Sequence, residues 1–355
     1  MTWTPYDPFE TAANPRARLR HLPARPLAVA LLAALAFVAG LLFLISRAQK
    51  TGVPPVAGLA SPDFPVALLT QIEQPEGGSW LLPSAAATVD GATFVLDAGN
   101  NRVLKLDGDG RLLAVLDKKA DPRLDLRQPM AIASDGQSLF IASSLSGQIF
   151  VLDKAGRLDH VIDLPADAVG RTPRPIGIAA TTDGRLVVSD ANTHRVLFMD
   201  REARVLRSLG AGARSNGPAG FNVPAGIALD GDGNVYVVDT LNWRVVKLSP
   251  EGDYLREYGH MGEAAGGLSR PKGVAVDALG RVFISDGVLA AIQVFGPEGV
   301  YLGVIGRRAP ADPASGSIFQ APAALAVSGD ILQVTDRFAG LINLRIPAFL
   351  PGDLP

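Results

Sequence analysis

From Pro224 to Tyr258 short apolar runs alternate with polar turn clusters, and the runs predict four strands. Ala225–Leu229 is small and apolar, and Asp-Gly-Asp-Gly-Asn at 230–234 breaks it with turn residues. Val235–Val238 is a β-branched and aromatic run ending at Asp239, and 240–243 is a loop. Arg244–Leu248 alternates polar and apolar positions, 249–252 turns again, and Asp253–Tyr258 is a fourth, more polar strand. Four antiparallel strands of rising polarity make one sheet with its first strand innermost.

The pattern recurs six times. Copies open at Pro83, Pro129, Pro175, Pro224, Pro271 and Pro322, roughly 46 to 51 residues apart, a period expected of propeller blades. A second landmark follows each proline: Asp97, Ser143, Asp190, Asp239, Asp286 and Asp336. Two places after each proline the residue is small (Ala85, Ala131, Gly177, Gly226, Gly273, Ala324), because six innermost strands must converge on a narrow channel. The predicted class is all-β, a six-bladed propeller over residues 63–350, with 351–355 a C-terminal tail.

The sixth copy supplies only three strands, Ala324–Val327, Ile331–Thr335 and Leu341–Ile346. The unassigned run Val66–Ile72 is expected to fill the outer place and close the ring, removing exposed sheet edges. The other outer strands are expected at Leu112–Leu116, His160–Leu164, Val205–Leu209, Tyr254–Tyr258 and Tyr301–Ile305. Phe221 and Phe319 stand just before two of the opening prolines and are expected to wedge neighbouring blades.

Ahead of the repeats, Leu27–Ile45 carries no charge. A helix of that length, at about 1.5 Å per residue, spans roughly the 30 Å hydrocarbon core. Residues 26–46 are therefore expected to be a membrane helix, flanked by a polar tail at 1–25 and a Pro/Gly linker at 47–62. A cleaved signal peptide is the rival, since Ser46-Arg47-Ala48 offers small residues at a cleavage site. Four arginines precede the span and Arg47 and Lys50 follow it, so the N-terminus is expected in the cytoplasm. The propeller would then lie outside the inner or cell membrane, in the periplasm of a two-membrane cell.

Composition narrows the chemistry. The chain has no cysteine, which excludes disulfides and thiolate sites. Net charge is −2, and residues 1–62 carry six basic and two acidic groups, leaving about −6 for the rest. That balance argues against nucleic acid as a partner.

The chain resembles the NHL-repeat family of six-bladed propellers over about residues 66–347. The likeness rests on Pro-x-Gly-Ile/Val-Ala at Pro175, Pro224 and Pro271, and on Asp-x-x-Asn-x-Arg-Val at Asp97–Val103 and Asp239–Val245. Asp190–Val196 keeps the pattern with Thr193 in place of asparagine, while Ser143–Ile149 lacks both Asp and Arg. The resemblance implies an interaction platform, a ligand sensor on a membrane-anchored protein, an RNA binder or, occasionally, a lyase.

The pairs Asp97/Arg102, Asp190/Arg195 and Asp239/Arg244, with Asp286 and Asp336, recur between the second and third strands. Recurrence points to a structural role, with a guanidinium fixing the loop. An active site needs different residues in different blades. Departures from the repeat on the same loop face are the binding candidates: Asn101, Asn192, His194, Asn242, Trp243, Leu289 and Phe338. Three of these are apolar at loop tips, where they either anchor a partner or pack on the next blade. No catalytic residue, metal ligand or cofactor is expected. His21, His160, His194 and His260 supply no three-ligand spacing, and 230–234 reads as a turn rather than a calcium loop. The expected function is a non-catalytic platform for a protein, peptide or glycan. The alternative is a metal-dependent lyase or lactonase working at the channel mouth.

Overall fold

The computed structural model describes residues 63–210, 212–306 and 317–348, and there each apolar run is a strand. Six four-stranded antiparallel sheets form in chain order. Blade 1 is Pro83–Val89, Ala92–Asp97, Arg102–Leu106 and Leu112–Leu116; blade 4 is Pro224–Leu229, Val235–Asp239, Arg244–Leu248 and Tyr254–Tyr258. Blade 6 is composite: Pro322–Ser328, Ile331–Asp336 and Gly340–Arg345 come from the far end of the propeller, and Ala67–Ile72 pairs with the last of them. Each innermost strand lies against those of both neighbouring blades, so the ring is closed. The outer strand of blade 2 begins two residues earlier than expected, at Leu158, and ends at Asp163. A two-residue parallel pairing, His260–Met261 with Gly267–Leu268, adds a small ladder between blades 4 and 5.

The deepest burial lies in the second and third strands. Val235–Asp239, Val282–Asp286 and Ala291–Phe295 are buried throughout, whereas Val205–Leu209 is exposed at four of five positions. The buried apolar residues fall into six clusters, one at each blade interface. Each large aliphatic side chain removed from water there contributes about 1.5–3 kcal/mol. Phe221 is enclosed between blades 3 and 4, and Phe319 between blades 5 and 6. The seam between blades 6 and 1 is held by Trp80, Val95, Leu104, Leu106 and Leu341.

The small residues near the channel have a local reason. A Cβ on Gly226 would stand 2.5 Å from the Lys272 carbonyl oxygen, and one on Gly273 2.5 Å from that of Ala323. The obstacle is the backbone of the adjacent innermost strand rather than side chains across the channel. Hydroxyls bond across the same gap: Ser84 Oγ to the Pro129 carbonyl (2.8 Å), Ser189 Oγ to Ala225 (2.6 Å) and Ser285 Oγ to Ala323 (3.0 Å).

The segments read as tail, membrane helix and linker (1–25, 26–46 and 47–62) and the tail at 351–355 lie outside the described residues. Among the described residues no helix is long and apolar enough to cross a membrane.

Candidate functional site

Antiparallel blades sort their loops by face. The approach to each innermost strand and the loop from second to third strand share one face, and the tight hairpins share the other. Each second-strand aspartate ties the two loops of its own face together. Asp239 accepts from the Asn222 N–H (2.7 Å) with one oxygen, and from Asn242 Nδ2 (2.7 Å) and Arg244 Nε (3.1 Å) with the other. Asp97 does the same with the Leu81 N–H, Asn100 and Arg102. Asp190 takes the Arg174 N–H, the Thr193 hydroxyl and Arg195. Five residues after Asp286 and Asp336 stand Ala291 and Leu341 in place of arginine, and each aspartate is held by four backbone N–H groups. In blade 2 the Ser143 hydroxyl accepts from the Arg127 N–H at 2.9 Å.

The arginines bind the aspartate through Nε alone and spend their other nitrogens on loop carbonyls. Arg102 reaches Ser79, Arg195 reaches Pro165, and Arg244 reaches Gly217 and Gly220 as well as Glu257. Burial outweighs these donors at Asp239 and leaves its carboxyl above the usual carboxylate value.

One backbone geometry recurs in all six loops. The fourth residue after the landmark is left-handed: Asn101, Gly147, His194, Trp243, Ala290 and Gly340, with φ between 49° and 85°. That conformation turns the side chain back toward the neighbouring blade. Asn101 Oδ1 accepts from the Gln128 N–H (2.8 Å), and His194 Nδ1 accepts from the Val223 N–H (3.0 Å), each on the approach to the next blade. Burial and the nearby Arg214 and Arg171 hold His194 below the usual histidine value. Trp243 is half-buried against the cluster between blades 4 and 5, and Leu289 is also half-buried. Asn192 and Asn242 donate to the Thr172 and Ser215 carbonyls.

The residue two places after the landmark is the one that points outward. Leu145, Val288 and Phe338 are 63%, 61% and 63% exposed, and Leu241 is 38% exposed. Four loops thus present an apolar side chain at one equivalent position around the channel. Of the apolar candidates read from sequence, Phe338 belongs to this rim, Trp243 packs against the cluster between blades 4 and 5, and Leu289 is half-buried. Leu145, Leu241 and Val288 were legible as equivalents of Phe338 once the loops were set in register.

Inside the rim, a cavity of about 300 Å³ opens on the channel axis. Its walls are small or aliphatic (Ala85, Ile132, Ile178, Ile227, Val274, Leu325), and its charged lining is Arg174, Arg270, Lys272 and Arg337. The lining of the opposite mouth, 132–134, 178–180, 227–229, 274–276 and 325–327, carries no charge. The four cations escape a sequence reading anchored on the prolines and aspartates, because they flank those landmarks. Lining up the residue on either side of each opening proline, and the one after each aspartate, would have found them. Among the described residues no group of three His, Asp or Glu side chains is placed to hold a metal. A mouth lined by four cations does not fit a divalent ion.

Residues 172–197 match the family described as NHL repeat. A search of curated proteins found no match. Among solved structures, virginiamycin B lyase from Staphylococcus aureus is similar with a TM-score of 0.54 at 14% identity, over 80% of this chain and 100% of that one. A putative gluconolactonase gives 0.56 at 17% identity, over 81% and 97%. The RRP9 WD40 repeats give 0.54 at 14% identity, over 78% and 80%. At such identities the likeness is one of fold. The chain is a six-bladed β-propeller of four-stranded antiparallel blades, in which residues 172–197 match the NHL repeat.

Proposed function

We propose that the propeller is a non-catalytic binding platform whose working surface is the loop face around the channel. The observation that carries this reading is the apolar rim of Leu145, Leu241, Val288 and Phe338. Water-exposed apolar side chains repeated at one loop position cost solvation in the free protein and gain when a partner covers them. The proposed partner is a protein, peptide or glycan. The uncharged run Leu27–Ile45 supports placing the platform at a membrane, with the propeller outside the cytoplasm and the local concentration of membrane-bound partners raised.

The test is capture from solubilised membranes with the full chain and with a Val288→Ser, Phe338→Ser variant. The expected result is loss of the captured partner with an unchanged melting temperature. Capture that survives the double substitution would remove the rim from the function.

The second reading, a metal-dependent lyase or lactonase, draws on the fold it shares with the lyase and the putative gluconolactonase. Its donors are not assembled among the described residues. Stoichiometric calcium or zinc in the purified protein would favour it over the platform.

A further inference from the structure

The cavity is lined by three registers of the repeat: the residues before and after each opening proline, and the residue after each second-strand aspartate. Those registers hold mainly small or apolar residues, among them Ser84, Met130, Ile176, Ala225 and Ala323 after the prolines and Ala191 and Thr240 after the aspartates. The fold is content with such residues in most blades. Arg174, Arg270, Lys272 and Arg337 occupy the same registers in blades 3, 5 and 6.

Arg174 and Arg270 are exposed at the mouth and Lys272 and Arg337 half-buried, and their surroundings set them apart from the buried cations. Arg195 and Arg244 each meet an aspartate at 3.1 Å, and Arg281 meets Asp277 at 2.5 Å. Among the described residues no carboxylate lies within 4.0 Å of Arg174, Arg270, Lys272 or Arg337. Among the described residues Arg174 Nε meets only the Ser144 hydroxyl, at 3.3 Å. Arg337 Nε is enclosed without a hydrogen-bond partner among the described residues. A guanidinium N–H removed from water and left unmet is costly, and an oxyanion is the group that satisfies it best.

We infer that this mouth is a binding site for a small oxyanion ligand, a carboxylate or a phosphate ester, held by Arg174, Arg270, Lys272 and Arg337. The inference deepens the platform reading by naming a ligand chemistry, and rests on it only in using the same face. Burial and the charges of Arg337 and Arg270 pull Lys272 down to about 8, against the opposing influence of Asp286. An anion in the cavity reverses that crowding. Asp286 and Asp336, which lack an arginine of their own, offset two of the four cations at longer range and leave two in excess. Blades 3 and 6 are opposite one another in a ring of six, so Arg174 and Arg337 approach the cavity from opposite sides. A compact ligand with two anionic groups, or one anionic head above an apolar body, suits charged loops over aliphatic walls. The volume lies at the small end of ligand pockets.

The experiment is calorimetric titration of the full-chain protein at low ionic strength with inorganic phosphate, succinate and citrate. At least one probe is expected to bind with a Kd of about a millimolar or tighter, and the preferred probe tells phosphate from carboxylate. Lys272→Met and Arg337→Met should each weaken that probe about tenfold or more, the loss of one charge-assisted bond. Arg270→Gln, at an exposed position, guards against loss through misfolding and should weaken the probe in the same sense. Val288→Ser with Phe338→Ser should leave probe binding intact. Wild-type protein that binds none of the three, or binds them equally well in the charge variants, overturns the inference. It then shows the cations to be distant counter-charges for Asp286 and Asp336. Rim-dependent capture persisting without probe binding would sink the anion site and spare the platform.

Discussion

Arg244 and Arg337 stand on the same face of the propeller, five residues and one residue after a second-strand aspartate, and they keep opposite company. Arg244 is buried and saturated, with Asp239, Glu257 and two loop carbonyls sharing its nitrogens. Arg337 lines the cavity with a buried Nε that meets no acceptor among the described residues. The first arrangement can only hold the protein together, since a ligand would have to displace bonds already made. The second has donor capacity in reserve. A repeat protein separates the two roles by register, with paired cations where blades recur and unpaired ones where they depart.

The largest expected effect comes from breaking the paired side. Arg244→Met should cost about 3–5 kcal/mol in denaturant unfolding, because it leaves Asp239 buried without its charge partner. The same change at Lys272 should leave the melting temperature unchanged or raise it. If both substitutions destabilised the fold alike, the distinction between the two sets would collapse.

A pH titration sharpens the comparison. Lys272 gives up its proton at about 8 in the folded protein, below an ordinary lysine, so between those values the unfolded chain binds more protons. Stability should therefore rise with pH above about 8, and Lys272→Met should abolish that rise. Anion binding should fall over the same range as Lys272 becomes neutral, while Arg174, Arg270 and Arg337 stay charged. Binding that is flat across pH 7 to 10 would remove Lys272 from the site.

Smaller effects are expected from the loops. His194 is depressed when folded, so its contribution is present above the usual histidine value and lost as pH falls through it. His194→Asn places at that left-handed position the residue that makes the equivalent bond in blade 1. Stability near pH 7.5 should hold within about 0.5 kcal/mol, and the extra acid sensitivity below about pH 6.5 should vanish. Another small effect is expected at Ala290, where glycine relieves a left-handed alanine. Ala290→Gly should gain up to about 1 kcal/mol, since strain of about 1–2 kcal/mol is partly offset by backbone entropy.

The blades were legible because their landmarks are physically obligatory. An opening proline, a small residue where backbones meet and an aspartate that collects N–H groups leave few alternatives at each position. The missing fourth strand of the last copy drew attention to Val66–Ile72, and the structure pairs Ala67–Ile72 there. The rim was only half legible. Spacing placed Trp243 at a loop tip, but its left-handed backbone swings the ring inward, and the outward position belongs to Leu241, two residues earlier. The cationic lining was hidden for another reason. Lys272 and Arg270 flank a proline that reads as structure, and single charges beside a turn look like ordinary surface until the ring brings them to one axis.

The composite sixth blade has a consequence for assembly. Gln71 donates to the Ala339 carbonyl across 268 residues of sequence, so the propeller's earliest strand has to wait for its latest. Five sheets can form complete from neighbouring hairpins, while the sixth stops at three strands and leaves the outer edge of Gly340–Arg345 unpaired. Sealing it is the most distant contact the domain makes, and the loop-closure penalty falls on that one step. Removing Ala67–Ile72 should leave most strands able to form, yet strip the ring of its clasp and expose the third strand of the last blade to pairing with other molecules.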